Sequence, residues 1–165
     1  MSSSHSLISS LVQNLAEKLL AKKLIISTAE SCTGGWIAQS LTDLSGSSAW
    51  FDTGFVTYSN DAKIRLLNVP ESYFHLDGFG AVSKETVLAM TQGAIKNSRA
   101  NMAVAVSGIA GPCGGSPEKP VGTVWIAWQW EDKSGANRFL FSGDRSAIRL
   151  ATVEASLQGI LNLVT

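Results

Sequence analysis

The sequence predicts a three-layer α/β/α domain with a mixed β-sheet, and three observations support this prediction. Short apolar, β-branched runs alternate with helical patterns along much of the chain, which is typical of a sheet covered by helices on both faces. Two strand-like runs follow each other near the C-terminus and predict an antiparallel hairpin added to that sheet. No linker, repeat or low-complexity tract divides the chain, so we expect residues 1–165 to form one domain.

The N-terminal segment is predicted to form helix, strand and helix in that order. Leucine, isoleucine and valine recur at steps of three and four over residues 7–20, which predicts an amphipathic helix with Ser4 or Ser6 as its N-cap. The β-branched run at 24–29 predicts a buried strand. Apolar residues at helical spacing over 36–44 predict the second helix.

The middle of the chain is predicted to supply one strand and two helices. Aromatic and β-branched residues over 49–58 predict a strand. The polar residues at 59–61 can cap a short helix that ends near 68. Ser83 is the expected N-cap of a longer helix over 84–98.

The C-terminal part is predicted to complete the sheet and add the last helix. Residues 102–107 form an apolar run that predicts a buried strand. The runs at 121–130 and 138–141 predict a hairpin that turns around Lys133-Ser134-Gly135. Residues 145–163 predict the final helix.

The composition disfavours several classes of partner. Lys and Arg number 13, as do Asp and Glu, and this balance removes the electrostatic argument for a nucleic-acid partner. The N-terminus does not resemble a signal peptide and no apolar run could span a bilayer, so we expect no membrane partner. Cys32 and Cys113 predict reduced thiols in a cytoplasmic protein. Aromatic strands and a modest fraction of charged residues favour a homo-oligomer.

The first candidate site lies between the first strand and the second helix and reads Glu30-Ser31-Cys32-Thr33-Gly34-Gly35. Ligands of open α/β sheets bind at this position, beyond the carboxyl end of a strand. Free amides at a helix N-terminus could bind a phosphate, or they could stabilise an oxyanion if Ser31 is a nucleophile. The two glycines would allow a substrate to approach the backbone closely. The alternative is that Ser31 or Thr33 is only an N-cap.

Lys63 is the candidate base for Ser31. It falls in the first turn of a predicted helix, where the helix dipole and partial burial would both lower its pKa. The alternative is a solvated surface lysine. The chain has two histidines, His5 and His75, so a lysine is the more available partner for a serine. Cys32 is a rival nucleophile, because a helix N-terminus also lowers the pKa of a thiol.

Two further segments are candidates for binding an anion. Backbone amides in the loop that begins Ser107-Gly108-Ile109-Ala110 could form an anion nest at the carboxyl end of a strand, or the loop could be a plain glycine-rich turn. Arg145 could hold a phosphate in a bidentate manner. The alternative there is a capping Asp144 followed by a surface arginine.

Ordered motifs along nearly the whole chain resemble those of the CinA C-terminal domain family. They are Thr28-Ala29-Glu30-Ser31-Cys32-Thr33-Gly34-Gly35, Gly46-Ser47-Ser48, Gly54-Phe55-Val56-Thr57-Tyr58-Ser59-Asn60, Lys63, Gly80-Ala81-Val82-Ser83, Ser107-Gly108-Ile109-Ala110-Gly111-Pro112 and Lys119-Pro120-Val121-Gly122-Thr123-Val124. Cys113 departs from the family pattern, in which an aspartate or a small polar residue is common. A side-chain role at that position is therefore not expected.

The resemblance implies nicotinamide-nucleotide amidase activity, in the stand-alone form of the family. That reaction hydrolyses nicotinamide mononucleotide to nicotinic acid mononucleotide and ammonia. In the resulting hypothesis Ser31 attacks the carboxamide, unprotonated Lys63 accepts the hydroxyl proton, and Tyr58 relays a proton or orients Lys63. The alternatives are a nucleotide-binding module without catalysis and an amidase for another small amide.

The remaining candidate residues are assigned to binding of the substrate. Amides around Cys32 and Thr33, in the segment that continues through Gly34 and Gly35, would stabilise the oxyanion. Residues 107–110 and Arg145 would hold the ribose and phosphate. We expect no cofactor and no metal, since the sequence offers no evident cluster of metal ligands.

Overall fold

The computed structural model describes residues 2–165 as five helices and five strands, with two short 3₁₀ turns at Ser47–Ala49 and Glu71–Phe74. In chain order these are α1 Ser2–Lys22, β1 Ile26–Glu30, α2 Trp36–Thr42, β2 Phe51–Val56, α3 Asn60–Leu67, α4 Lys84–Lys96, β3 Met102–Gly108, β4 Thr123–Trp130, β5 Lys133–Leu140 and α5 Arg145–Val164. Every predicted helix and strand is present.

The strands form one mixed sheet in the order β2-β1-β3-β4-β5. β1 pairs in parallel with both β2 and β3, whereas β3–β4 and β4–β5 are antiparallel. Glu30 is in register with Val56 on one side and Val106 on the other. The carboxyl ends of β1, β2 and β3 therefore lie together at one edge of the sheet.

Successive side chains of a strand point to opposite faces of the sheet. Each face therefore presents its own set of apolar side chains, and different helices cover the two sets. On one face Ile26, Val104 and Ile126 pack with α1, α2 and α5. On the other face Ala29 and Ala105 pack with α3 and α4 through apolar side chains of those helices. The three-layer α/β/α prediction is confirmed.

The predicted turn of the hairpin is wrong. β4 ends at Trp130 and β5 begins at Lys133, so Glu131 and Asp132 make the turn and Lys133-Ser134-Gly135 belongs to β5. Gly135 pairs with Trp128 in the ladder. The local turn preference of serine and glycine is outweighed here by pairing with a long aromatic strand.

The predicted N-cap of α1 is also wrong, because the helix begins at Ser2 and contains both Ser4 and Ser6. No glycine or proline interrupts this serine-rich stretch, so the helical backbone continues through it. Among the described helices, α1 included, none is long and apolar enough to cross a membrane.

Candidate active site

Ser31 is the first residue after β1, at the edge where the parallel strands end. Its amide donates to the carbonyl of Val106 at 3.1 Å, which continues the pairing of β1 with β3. Its own carbonyl accepts from the Gly34 amide at 3.0 Å, so the chain turns sharply after the strand. The Ser31 side chain is 8% exposed. A nucleophile at this position can be reached from outside while most of its surroundings exclude water.

Lys63 reaches Ser31 from α3, and the hydrogen bond expected between them is present. Ser59 caps α3 by accepting from the Ala62 amide at 3.0 Å, so the helix starts soon after β2 ends and Lys63 lies in its first turn. Lys63 Nζ lies 3.0 Å from Ser31 Oγ. The alternative of a solvated lysine is wrong, because Lys63 is 1% exposed.

The other contacts of Lys63 determine what its amine can do. Nζ also donates to the carbonyls of Thr57 at 2.7 Å and Tyr58 at 3.3 Å. Carbonyl oxygens only accept, so a neutral amine directs its two hydrogens to them and its lone pair to the hydroxyl of Ser31. In the neutral state of Lys63 the backbone thus leaves its lone pair directed at the serine hydroxyl.

Burial lowers the pKa of Lys63 to about 8, because an ammonium in this dry position loses its hydration. At this pKa about a tenth of the amines are neutral at pH 7 and about nine-tenths at pH 9. Within residues 2–165 the two salt bridges join Asp61 to Arg65 and Asp52 to Arg99, so no carboxylate pairs with Lys63. A base of this kind is available near neutral pH.

Cys32 does not have the lowered pKa that was expected of a rival nucleophile. Burial raises the pKa of its thiol to about 11, and the carboxylate of Glu30 acts in the same direction. The thiol therefore stays protonated at neutral pH. The expectation failed because α2 begins only at Trp36, four residues further on, and desolvation dominates at Cys32.

Glu30 is a functional candidate that sequence reasoning missed. It is fully buried, and its Oε1 accepts from Thr33 Oγ1 at 2.6 Å and from the Ile37 amide at 2.8 Å. Its Oε2 accepts from the Ala38 amide at 3.0 Å. Glu30 thus satisfies the free amides of α2, so the interpretation of Ser31 or Thr33 as the N-cap is wrong. Strand alternation would have placed Glu30 on the face toward α2.

The turn over residues 31–35, called here the nucleophile turn, leaves three amides free, those of Cys32, Thr33 and Gly35. In the part of the chain that the structure describes, these amides donate to no carbonyl and to no side-chain oxygen. Gly34 and Gly35 have φ angles of 62° and 100°, which a residue with a Cβ rarely adopts. The glycines therefore shape a turn whose first amides remain available to an anion.

Arg149 is a second residue that sequence reasoning missed. From the second turn of α5, its Nε donates to the carbonyl of Cys32 at 3.1 Å and its Nη2 donates to the carbonyl of Thr33 at 3.0 Å. Its guanidinium lies 5.4 Å from the ring centroid of Trp36. The available signal was its spacing of four residues from Arg145, which places both arginines on one face of the helix.

The side chains of Tyr58 and Arg145 contact each other and not the side chain of Lys63. The Tyr58 side chain is 60% exposed, and its hydroxyl accepts from Arg145 Nη2 at 3.0 Å. Arg145 Nη1 donates to the carbonyl of Gly111 at 2.8 Å. The Tyr58 carbonyl thus contacts Lys63, whereas its hydroxyl makes no hydrogen bond to Lys63 within residues 2–165. Asp144 caps α5, as the alternative interpretation of this segment predicted. The cap and the contact of Arg145 with the Gly111 loop are both present.

The segment 107–110, which begins with the last two residues of β3, is held against β4 and offers fewer free amides than predicted. Ser107 and Ala110 are 2% and 4% exposed. The amide of Ile109 already donates to the carbonyl of Thr123 at 2.9 Å. A Cβ on Gly108 would lie 2.6 Å from Val124 Cγ2, so glycine is needed for the close packing of β3 on β4. The segment lies beside Ser31, but Ile109 has no amide available for a phosphate.

A cavity of about 860 Å³ lies elsewhere, between α1, α2 and α5. Its wall includes Ile8, Val12, Trp36 and Leu150 but neither Ser31 nor Lys63. Within residues 2–165, no group of three or more histidine, cysteine, aspartate or glutamate side chains could hold a metal ion. The buried Ser31–Lys63 pair is therefore recognised by its hydrogen bonding and pKa, and not by the size of a pocket.

Comparison with known proteins gives consistent relatives over most of the chain. Residues 8–164 match the family model described as the CinA C-terminal domain. The nicotinamide-nucleotide amidohydrolase PncC of Pseudomonas putida is 53% identical over 158 residues, covering 96% of this chain and 98% of the relative. The PncC of Escherichia coli K12 is 50% identical over 149 residues, covering 90% and 89% respectively.

A solved structure has the same fold. The crystal structure of the competence/damage inducible protein CihA from Agrobacterium tumefaciens superposes with a TM-score of 0.92 at 46% sequence identity. The match covers 96% of this chain and 96% of that one. At this level of identity the two chains share their fold over nearly their whole length.

Proposed function

The chain belongs to the CinA C-terminal domain family, and we propose that it is a nicotinamide-nucleotide amidohydrolase that converts nicotinamide mononucleotide to nicotinic acid mononucleotide and ammonia. The observation that carries this proposal is the 3.0 Å contact between Lys63 Nζ and Ser31 Oγ in a nearly dry site. The relatives named nicotinamide-nucleotide amidohydrolase support the choice of substrate.

The first half of the proposed reaction makes an acyl-enzyme. Ser31 Oγ forms a bond to the carboxamide carbon while its proton passes to the neutral amine of Lys63. The carbonyl oxygen becomes an oxyanion, which the free amides of Cys32 and Thr33 stabilise; one such donor is typically worth about 3 kcal/mol. The C–N bond then breaks, and the Lys63 ammonium gives its proton to the leaving nitrogen, so that ammonia departs.

The second half of the reaction returns the enzyme to its starting state. Neutral Lys63 accepts a proton from a water molecule as the water oxygen bonds to the acyl carbon. The bond to Ser31 Oγ breaks, and Lys63 returns the proton to that oxygen. One water is consumed in each cycle, and every proton movement has a protein group assigned to it.

The substrate nucleotide is assigned to the edge of the sheet next to the nucleophile turn. Arg145 is exposed and lies where α5 begins, and its contacts with Gly111 and Tyr58 tie it to the rim of the site. A guanidinium can bind a phosphate through two parallel hydrogen bonds. Residues 107–110, which adjoin Ser31 through β3, are proposed to contact the ribose.

The decisive experiment measures ammonia release from nicotinamide mononucleotide by the purified protein, with and without a chelator. We expect release that survives the chelator, vanishes in Ser31→Ala and is mildly changed in Cys32→Ala. Retained release in Ser31→Ala would refute the serine mechanism, and loss in folded Cys32→Ala would favour a thiol nucleophile. Tight binding of the nucleotide without release would identify a binding module, whereas release from another amide alone would change the substrate.

We further propose that the chain forms a homo-oligomer in the cytoplasm. Large apolar side chains lie exposed outside the site, among them Leu76 at 101% and Leu140 at 65%. A second copy of the chain that covers such side chains would remove apolar area from water. Light scattering coupled to size-exclusion chromatography measures the mass of the particle, and a monomer at all concentrations contradicts the proposal.

A further inference from the structure

Arg149 occupies an unusual position for an arginine, because it binds backbone carbonyls and not a carboxylate. Its fork of donors contacts two successive carbonyls of the nucleophile turn, those of Cys32 and Thr33, at 3.1 and 3.0 Å. In the described chain the ion pairs involve other residues, so no acidic side chain neutralises it. Its full positive charge is therefore directed at the turn that follows Ser31.

Peptide geometry transmits this contact to the free amide of Thr33. In a trans peptide the C=O and the N–H point in opposite directions. When Arg149 holds the Cys32 carbonyl, the Thr33 amide of the same peptide points away from the guanidinium. That amide donates to no oxygen within residues 2–165. Arg149 thus fixes the direction of a donor that is left free for a ligand.

The charge of Arg149 also strengthens that donor. A cation bound to a carbonyl polarises the whole peptide unit and makes its N–H a stronger donor, as in other hydrogen-bonded chains in a low-dielectric interior. The Trp36 ring, 5.4 Å from the guanidinium, supports the side chain from one side. The second carbonyl contact prevents the turn from rotating about a single hydrogen bond.

We propose that Arg149 is a positioning residue, which holds the nucleophile turn so that the Thr33 amide meets the oxyanion that forms when Ser31 attacks. The inference rests on the proposed function for its reaction, but the geometry would serve any acyl transfer at Ser31. Because the oxyanion exists only in the transition state and intermediate, Arg149 is expected to act on kcat and to leave substrate binding nearly unchanged.

The test compares Arg149→Met, Arg149→Lys and Arg149→Ala with the wild type in the ammonia assay. Loss of an oxyanion donor typically lowers kcat by about 10²–10³-fold, and a misdirected donor should lose somewhat less, so we expect about 30–100-fold for Arg149→Met with KM within about threefold. Arg149→Lys keeps the charge but not the fork, and should fall between Arg149→Met and the wild type. Millimolar guanidinium should partly restore kcat in Arg149→Ala.

Arg138→Met is the matched control, because Arg138 also donates to a backbone carbonyl, that of Glu118, but from β5. We expect no change in its kcat or KM. Unchanged kcat in folded Arg149→Met overturns the proposal, as does a rise in KM alone. Failure of guanidinium to rescue Arg149→Ala, with Arg149→Lys as poor as Arg149→Met, also overturns it in favour of a packing role.

A second readout separates this proposal from the proposed substrate. An alkyl fluorophosphonate bonds its phosphorus to a reactive serine oxygen and releases fluoride, while the serine proton goes to the base. Its phosphoryl oxygen needs the same donors as the oxyanion. We expect Ser31 of the wild type to be labelled, and labelling to slow at least tenfold in Arg149→Met but not in Arg138→Met. This result supports Arg149 even if nicotinamide mononucleotide is not hydrolysed, and equal rates or an unreactive Ser31 refute it.

Discussion

The parallel and antiparallel halves of the sheet differ in what they bury. Where β2, β1 and β3 end side by side, Glu30, Ser31 and Lys63 are each less than a tenth exposed. In the hairpin of β4 and β5, the charged side chains of Lys133 and Arg138 are exposed. Most buried polar groups in proteins are hydrogen-bonded, because an unpaired one costs free energy. Beyond the ends of the parallel strands, α2 supplies amides to Glu30 and the chain after β2 supplies carbonyls to Lys63, whereas the hairpin side chains remain in water.

The largest expected effect comes from removing the buried pair. Ser31→Ala should lower kcat by about 10⁴-fold or more, and Lys63→Met by about 10³-fold, since nucleophile and base act on the same atoms. Lys133→Met, the matched substitution on the hairpin, should leave kcat unchanged. Steady-state kinetics with thermal unfolding of each variant measures this contrast. Equal losses at both lysines would remove the distinction between the two halves.

The next effect concerns the buried carboxylate that holds the nucleophile turn. Glu30→Gln places an amide NH₂ against an N–H of α2, and should lower the free energy of unfolding by about 2–3 kcal/mol. Glu131→Gln in the exposed hairpin turn is the control and should change it by less than about 0.5 kcal/mol. Urea unfolding followed by circular dichroism gives both values. If Glu30→Gln leaves the free energy of unfolding unchanged, the charge of the carboxylate is not needed there.

A smaller effect is expected from pH, because Lys63 must be neutral to accept the serine proton. Its pKa of about 8 lies below the ordinary value because of burial, so kcat should rise with pH around a midpoint near 8. The gain between pH 7 and pH 9 should be about tenfold. His75→Asn should keep the same midpoint, since His75 lies outside the site. A rate that falls over this range would contradict Lys63 as the base.

The smallest effect belongs to the hairpin itself. Glu131 adopts a φ of 54° in the two-residue turn, a conformation that costs about 1–2 kcal/mol for a residue with a Cβ. Glu131→Gly should therefore stabilise the fold by about 0.5 kcal/mol after the greater flexibility of glycine in the unfolded chain is subtracted. Activity should not change. Differential scanning calorimetry resolves such a shift, and a lower midpoint would argue against strain at this turn.

Local pattern was sufficient to find the helices and strands and to make Ser31 and Lys63 candidates, and the family resemblance chose between these candidates and their alternatives. Apolar periodicity separated helices from strands, and capping serines such as Ser59 and Ser83 set where two helices begin. The position of Ser31 after a buried strand and of Lys63 after a capping serine made them candidates. Boundaries that depend on strand pairing, such as the turn at Glu131, were not recoverable, because the ladder partner lies outside the local window.

The partners of each candidate required the folded chain. Glu30 and Arg149 stand 119 positions apart, and nothing in either local segment indicates that both hold the same turn. The lowered pKa expected for the Cys32 thiol is wrong for the same reason, since this pKa depends on how many groups surround the thiol. A helix dipole can be inferred from neighbours in sequence, but burial cannot.

The sequence by itself determined the layers, the mixed sheet and the edge at which the candidate site lies, because hydrophobic periodicity and the order of helices and strands can be read locally along the chain. Only the tertiary structure decided that Lys63 is buried and contacts Ser31, that Lys63 contacts the carbonyl of Tyr58, and that Arg149 of the last helix binds carbonyls of the nucleophile turn. These outcomes depend on distances between segments remote in sequence, and hydrogen bonds and desolvation act only over a few ångströms.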